Sequence, residues 1–305
     1  MAMPQGTKWQ TIKPQIAPPD KKKIKKHHKI FFRYMSERYK IKKRRDKGKK
    51  RPWTKDPILS DYHFTNVFRK DDKGSQWLLN HIKDPKVKAM KAEDLIWRVV
   101  MYRWANYHRY FEDYGWPARS KKALRKMLKR LEKYDEKKVQ WFTRAHIVLQ
   151  SNFNQPRREN YIEYAGLLLA DFDSFVQGIL GAENMERAFK HVQKFKGIGG
   201  FTAYEICIDL CYLGVLPDEF RDQYANPGPG CREGIDLIFP SASKSGTKGY
   251  IEAMETLRDE QDEAFSGYGL TPTPRLTLQD IEFNLCEISK YIKIMHGTGR
   301  GRRYR

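Results

Sequence analysis

Apolar residues recur along most of this chain at the three- and four-residue intervals of a buried helix face, and no stretch of six residues shows the clean alternation of a strand. The pattern is sharpest over residues 183–213. Met185, Ala188, Phe189 and Val192 mark one helical stripe, and Phe201, Ala203, Tyr204, Ile206, Cys207, Leu210 and Cys211 mark a second. Between them lies the turn Lys196-Gly197-Ile198-Gly199-Gly200. The strongest single helix is predicted over 91–114, which is apolar on most sides and so reads as a central core helix, with Arg103 and Asn106 as polar interruptions. Ser120–Tyr134 predicts a lysine-rich amphipathic helix, and 157–181 another long one. A helix starts near Asp71 or Ser75, and 247–265 and 277–295 supply the last two, the second opened by the capping pattern Thr277-Leu-Gln-Asp280. A loop over Pro217–Pro229 and a glycine-rich turn over 226–235 separate these from the hairpin. The expected fold is all-α, without internal repeats.

The N-terminal region differs in composition. Residues 1–20 are polar, with prolines and no periodicity, and are expected to form a mobile arm. Residues 21–51 hold 17 basic and two acidic side chains, yet Ile30, Phe31, Tyr34, Met35, Arg38 and Tyr39 recur at helical spacing. This predicts a basic helix that docks one stripe on the body and leaves its basic face for phosphates. The alternative is a solvated basic tail. Arg51-Pro-Trp-Thr-Lys-Asp-Pro57 breaks the pattern, so a main domain is expected over 52–305. The tail Gly299–Arg305 is basic and is expected to fray.

Charge narrows the function. A formal net charge of +22 over 305 residues exceeds what solubility needs and points to a polyanion partner. The four cysteines form no Cys-x-x-Cys pair; Cys207 and Cys211 share a helix face and read as buried thiols, in keeping with a reducing cytoplasm. No signal peptide pattern opens the chain and no apolar run approaches a membrane span, so no membrane partner is expected.

The 196–200 turn carries the first chemical hint. Its glycines allow positive φ and close approach, and a helix starting near Gly200 presents free N–H groups and a positive dipole end to an anion such as phosphate. The pattern resembles the helix–hairpin–helix of DNA repair glycosylases, which grips one strand's backbone. That resemblance implies DNA contacts at Lys196, Gly197, Gly199, Gly200 and Thr202, with the basic helix adding Lys42, Lys43, Arg44 and Arg45. The bland reading is a glycine-capped helical hairpin. In the glycosylases a catalytic Asp follows the hairpin in a Val-Asp-Thr-His-like context; here Asp218 and Asp222 stand near that distance without the context.

Several further segments resemble a glycosylase-derived phage family, the α-glutamyl/putrescinyl-thymine pyrophosphorylases. That family overlaps the helical domain of hydroxymethyluracil DNA kinase and the amino acid:DNA transferases. The segments are Asp56–Arg69 with Asp72, Tyr102-Arg-Trp-Ala-Asn106, the hairpin turn, Gly228-Pro-Gly-Cys-Arg-Glu-Gly234 and Leu278–Tyr291. The resemblance implies hypermodification of thymine in phage DNA inside an infected host cell. An amino acid or polyamine would displace pyrophosphate from pyrophosphorylated 5-hydroxymethyluracil in double-stranded DNA. The chain contains no Gly-x-x-x-x-Gly-Lys-Ser/Thr loop, which favours the transfer step over phosphorylation.

The chemistry implied needs cations for the leaving anion and a base for the amine. Arg69, Arg103 and Arg232 are candidates for the first, and Asp72, Glu205, Asp209, Glu282 and Glu287 for the second. Asn66, Asn106 and Lys290 complete the motif set. Tyr62, Phe64, Trp104 and Tyr291 are candidate stacking partners for an extruded base. No cofactor is demanded; a Mg²⁺ bridging the pyrophosphate is chemically reasonable, without a ligand cluster of its own. Competing structural readings are a buried ion pair for Arg103, a surface pair for Glu287–Lys290 and a bracing role for Asn66. Two other functions compete: a glycosylase or lyase acting on a modified base through Asp218 or Asp222, and a DNA-binding protein without catalysis.

Overall fold

A computed structural model describes residues 21–84, 89–143, 149, 155–299 and 301–304. The expected arm over 1–20 lies outside the described residues. The described chain is all-α: fifteen α-helices, two 3-10 turns and a single isolated bridge. In order the helices are α1 (Lys21–Asp46), α2 (Pro57–Asp61), α3 (Lys73–His81), α4 (Ala92–Ala105), α5 (Arg109–Tyr114), α6 (Lys121–Glu136), α7 (Arg157–Ala170) and α8 (Phe172–Leu180). Then follow α9 (Met185–Gln193), α10 (Gly200–Tyr212), α11 (Phe220–Gln223), α12 (Pro229–Ile238), α13 (Gly246–Asp259), α14 (Gln261–Ser266) and α15 (Leu278–Met295).

Three long predicted helices are each broken in two. The stretch 91–114 ends its first helix at Asn106, which takes a left-handed conformation (φ 45°, ψ 38°) and closes α4 by donating its N–H to the Tyr102 carbonyl. Asparagine tolerates that conformation, so a polar residue inside an apolar pattern works as a stop. The 157–181 stretch breaks at Asp171 between α7 and α8, and 247–265 breaks at Glu260 between α13 and α14. The glycine-rich stretch 226–235 is not a turn throughout: Gly228 is the N-cap of α12 and Pro229 its first residue, the position where a missing N–H does no harm. The expected capping box at Thr277 is present, with Asp280 accepting from the Thr277 N–H at 3.2 Å.

The core is one contiguous cluster in which α4 and α10 are central. Every residue of α10 from Thr202 to Cys211 is buried. Helix α12 crosses α15 at close range, and Gly234 is the reason: a Cβ there would stand 2.2 Å from the Leu285 carbonyl oxygen. The apolar stripe of α1 is fully in this core, with Phe31 and Met35 at 0% exposure. The described tail residues 301–304 do not fray but are tied to the body. His63 donates its N–H to Arg302 at 2.8 Å, Tyr304 donates to Asp61 at 2.8 Å, and the Arg303 guanidinium reaches the Tyr62 hydroxyl at 3.0 Å. No described helix is long and apolar enough to cross a membrane.

Candidate active site

The packing of α4 against α10 buries charge in the middle of the protein. Arg103 projects from α4 and forks onto Asp209 of α10, with Nε to Oδ2 at 2.5 Å and Nη2 to Oδ1 at 2.6 Å. Its third nitrogen meets Glu205, one turn earlier on α10, at 2.8 Å and Asn106 Oδ1 at 3.3 Å. Arg69, in the 3-10 turn Arg69–Asp71, reaches the same Glu205 carboxylate. The result is an alternating row Asp209–Arg103–Glu205–Arg69. Two cations and two anions cancel, which is what allows Asp209 to sit at 0% exposure. Arg69 ends the row, and its buried Nε–H has no hydrogen-bond partner among the described residues. Burial first, and the positive charge of Arg103 second, lower the proton affinity of Arg69.

Asp72 and Glu282 feel the charge of Arg69 from outside this row. Asp72 accepts hydrogen bonds from the Asn66 N–H at 3.0 Å and the Asn66 side-chain amide at 3.2 Å. Burial pushes its pKa up to about 6, against the opposing pull of the Asn66 N–H and the Arg69 charge. Glu282, half-buried on α15, is pushed up to about 7 by burial; the Arg69 charge, the Cys286 thiol and the Gly228 N–H at the head of α12 oppose the shift. The Cys286 sulfur lies 3.7 Å from its carboxylate. Both acids therefore change protonation near neutral pH beside a buried cation, the condition for proton transfer at the working pH. Asp280 ties Arg69 to α15, accepting its backbone N–H at 3.2 Å, and the Phe283 ring lies 4.8 Å from its guanidinium.

The remaining motif residues divide. Glu287 accepts from the Thr65 N–H at 3.1 Å and pairs with Lys290 at 2.9 Å, so this pair bridges α15 to the 64–66 segment instead of lying idle on the surface. Asn66 braces Asp72, also donating to the Asp71 carbonyl at 2.9 Å. Arg232 points elsewhere: its Nε donates to Pro227 at 2.7 Å and its guanidinium lies over Tyr250. Trp104 is buried at 1% exposure and its indole N–H donates to the Gly197 carbonyl at 2.8 Å, so no base can stack on it. Phe64 and Tyr291 pack with Tyr34 in the core, and the Tyr62 hydroxyl is taken by Arg303. Asp218 forks onto Arg221 at the surface, and Asp222 caps α15 by accepting the Leu278 N–H at 2.8 Å. Neither retains a place beside Arg69.

At the hairpin, Gly197 has φ +82° and lies so close to the Tyr164 ring that a Cβ would stand 2.5 Å from it. The Trp104 bond and the Tyr164 contact hold the turn rigidly to the core. Gly199 caps α10 with open space around it, Lys196 is exposed, and Thr202 is buried. The basic run of α1 is largely engaged. Lys42 pairs with Asp46 at 2.5 Å and Asp71 at 3.5 Å, and Arg44 with Glu37 at 3.0 Å and the Trp53 carbonyl. Arg45 reaches Asn66 Oδ1 at 3.4 Å, leaving Lys43, which lies over the Tyr39 ring.

One residue of the site was hidden among the apolar stripe of α1. Arg38, 2% exposed, donates to the Thr65 carbonyl at 2.8 and 3.0 Å, to the Phe64 carbonyl at 3.1 Å and to Asn66 Oδ1 at 3.4 Å. It fixes the segment that carries Asn66, and through it Asp72. A guanidinium at a core position of an amphipathic helix is the signal that would have found it. A cavity of about 550 Å³, lined by Trp97, Arg98, Trp116, Arg119 and Phe172 among others, lies against α4 and α8 and shares no residue with this cluster. Among the described residues no three His, Cys, Asp or Glu side chains gather as a metal site.

Comparison with known proteins adds the chemical context. Residues 25–301 match the family described as 5-hmdU DNA kinase, helical domain. The 5-hmdU DNA kinase of Bacillus phage SP10 is 27% identical over 303 residues, covering 89% of this chain and 46% of that protein. The chain thus spans about half the length of the relative it matches. No solved structure matches it.

Proposed function

The chain belongs to the family of the 5-hmdU DNA kinase helical domain, and on that footing we propose that it modifies 5-hydroxymethyluracil in phage DNA. The step that suits its residues is transfer of an amino acid or amine onto the 5-methylene carbon of the pyrophosphorylated base. The free amine nitrogen bonds to that carbon, the carbon–oxygen bond breaks, and pyrophosphate leaves with the bonding pair. The proton released by the new ammonium passes to a carboxylate. The observation that carries this reading is Arg69, buried with an Nε–H that has no partner among the described residues, electrostatically coupled to two acids with pKa near 6 and 7.

Glu282 is assigned as the base, because its only described donors are a thiol and a backbone N–H and its pKa lies closest to neutrality. Arg69 is assigned to the departing anion. Arg103 is a positioning residue, holding Glu205 and through it Arg69. Asn66, Arg38, Glu287 and Lys290 position Asp72 and the 64–66 segment. The α9–turn–α10 unit is read as a helix–hairpin–helix of the glycosylase kind, gripping one strand while the target base leaves the stack. A Mg²⁺, where one is needed, enters with the pyrophosphate as part of the substrate.

The test uses duplex DNA carrying pyrophosphorylated 5-hydroxymethyluracil, incubated with the protein and a pool of amino acids and polyamines. After digestion, a nucleoside heavier by one amine, with pyrophosphate released, supports the reading and identifies the donor. Unchanged nucleosides sink it, and a free base or abasic site replaces it with a glycosylase.

A further inference from the structure

Helix α6 carries a second concentration of positive charge that the site does not use. Its buried face is Leu124, Met127, Leu131 and Tyr134. At 100° per residue, Lys122, Arg125, Lys126, Lys129 and Lys133 fall within an arc of roughly 100° on the opposite side. All five are exposed, and among the described residues none lies within 4.0 Å of a carboxylate, the limit within which the other ion pairs of this protein fall. The first turn carries Lys121 and Lys122 and no acid, so these charges oppose the helix macrodipole. Helix α4, by contrast, opens with Glu93 and Asp94. Neither packing nor pairing accounts for this row, and the helix dipole disfavours its first member, Lys122, though it favours its last, Lys133.

We propose that this face of α6 is a docking surface for the phosphate backbone of duplex DNA. The proposal rests on the DNA partner argued above, and deepens it by moving the electrostatic contact away from the Lys42–Arg45 run. From Lys122 to Lys133 the row spans about 16 Å at 1.5 Å per residue, the length occupied by about five phosphates of one strand at 3.4 Å of axial rise each. A row of four flexible ammonium groups and one guanidinium, set along one helix face, neutralises phosphates without reading bases. The surface is therefore one of affinity and orientation, independent of whether the target base is modified.

The test measures binding of a short unmodified duplex across a salt series, a readout that needs no chemistry and so stands apart from the transferase assay. In the variant Lys122→Ala, Lys126→Ala, Lys129→Ala, Lys133→Ala, the slope of log Kobs against log salt should fall by about three to four, at about 0.9 for each phosphate no longer neutralised. The unfolding midpoint should hold or rise, since no internal partner is removed. The companion variant Lys43→Ala, Arg45→Ala should change the slope by less than half as much. A quadruple variant with the wild-type slope overturns the proposal, as does a wild-type protein that fails to bind duplex at low salt.

Discussion

Helices α1 and α6 look alike as sequences, each amphipathic and dense in lysine and arginine, and they use their charge in opposite ways. In α1, Arg38 is buried against backbone carbonyls, and Lys42, Arg44 and Arg45 reach Asp46, Asp71, Glu37, Trp53 and Asn66. In α6, Lys122, Lys126, Lys129 and Lys133 stand exposed, and among the described residues none pairs with a carboxylate, Glu132 and Glu136 of the same helix included. The difference lies in the neighbours. The 53–72 segment folds back over the end of α1 and brings acids and carbonyls to it, whereas α6 packs mainly on α7 through its apolar stripe. Basic composition alone therefore does not mark a free cationic face; the fold decides which cations are left without a partner.

The largest way to break this comparison is Arg38→Ala. It strips the Phe64 and Thr65 carbonyls of a charged donor inside the core, and should cost about 3 kcal/mol in urea unfolding and abolish turnover. Retained stability would mean that α1's cations are no more committed than those of α6. The same division separates the carboxylates. Asp209 receives both arms of Arg103, so Asp209→Asn should destabilise by about 2 kcal/mol or more. Glu282 sits outside that row, so Glu282→Gln should keep the fold and lower turnover about a hundredfold or more.

The pH dependence sharpens this point. A Glu282 base should give a rate that rises with pH through about 7 and then levels, and the Gln variant should lose that limb. Stability should move the other way. The folded pKa values of Asp72 and Glu282, about 6 and 7, lie above their ordinary 3.8 and 4.5, so the native state holds more protons between those limits. Their contribution therefore favours the fold at pH 5 and weakens as pH climbs to 7. Thermal melts of wild type and Asp72→Asn across that window check the sign: the variant should show the smaller loss.

Smaller effects remain informative. Arg44→Ala should cost about 1 kcal/mol, since it removes a half-exposed pair and a carbonyl contact. Lys122→Glu should raise stability by a few tenths of a kcal/mol, because an acid in the first turn suits the helix dipole, while weakening duplex binding. Opposite signs on stability and binding at one residue would be the cleanest separation of the two helices.

Legibility from the sequence followed the range of each interaction. Helix identity depends on local periodicity, and α1, α6, α9, α10 and α15 lie within a few residues of where the apolar spacing puts them. The capping box at Thr277 was readable because donor and acceptor are three residues apart. The breaks at Asn106, Asp171 and Glu260 were not, since an apolar stripe continues across each while the backbone turns. In the site, Arg69, Arg103, Asp72 and Glu282 were legible as motif members; their order was not, nor was Arg232's turn towards Pro227. Arg38 reads as part of an apolar stripe because its partners lie more than 25 residues away.

By itself, then, the sequence determined the all-α class, the hairpin with its glycine turn, the excess of positive charge and the residue types from which a site can be built. These follow from backbone propensity, side-chain periodicity and counting, none of which needs a distant partner. Tertiary structure alone decided which charges cancel and which remain. Glu205 bridges Arg69 and Arg103 only because α4, α10 and the 69–71 turn converge, and Glu282 titrates near neutrality only because the crossing of α12 and α15 buries it. Desolvation and Coulomb energy depend on distance in space, and the same arginines and glutamates in another packing would be an ordinary solvated surface.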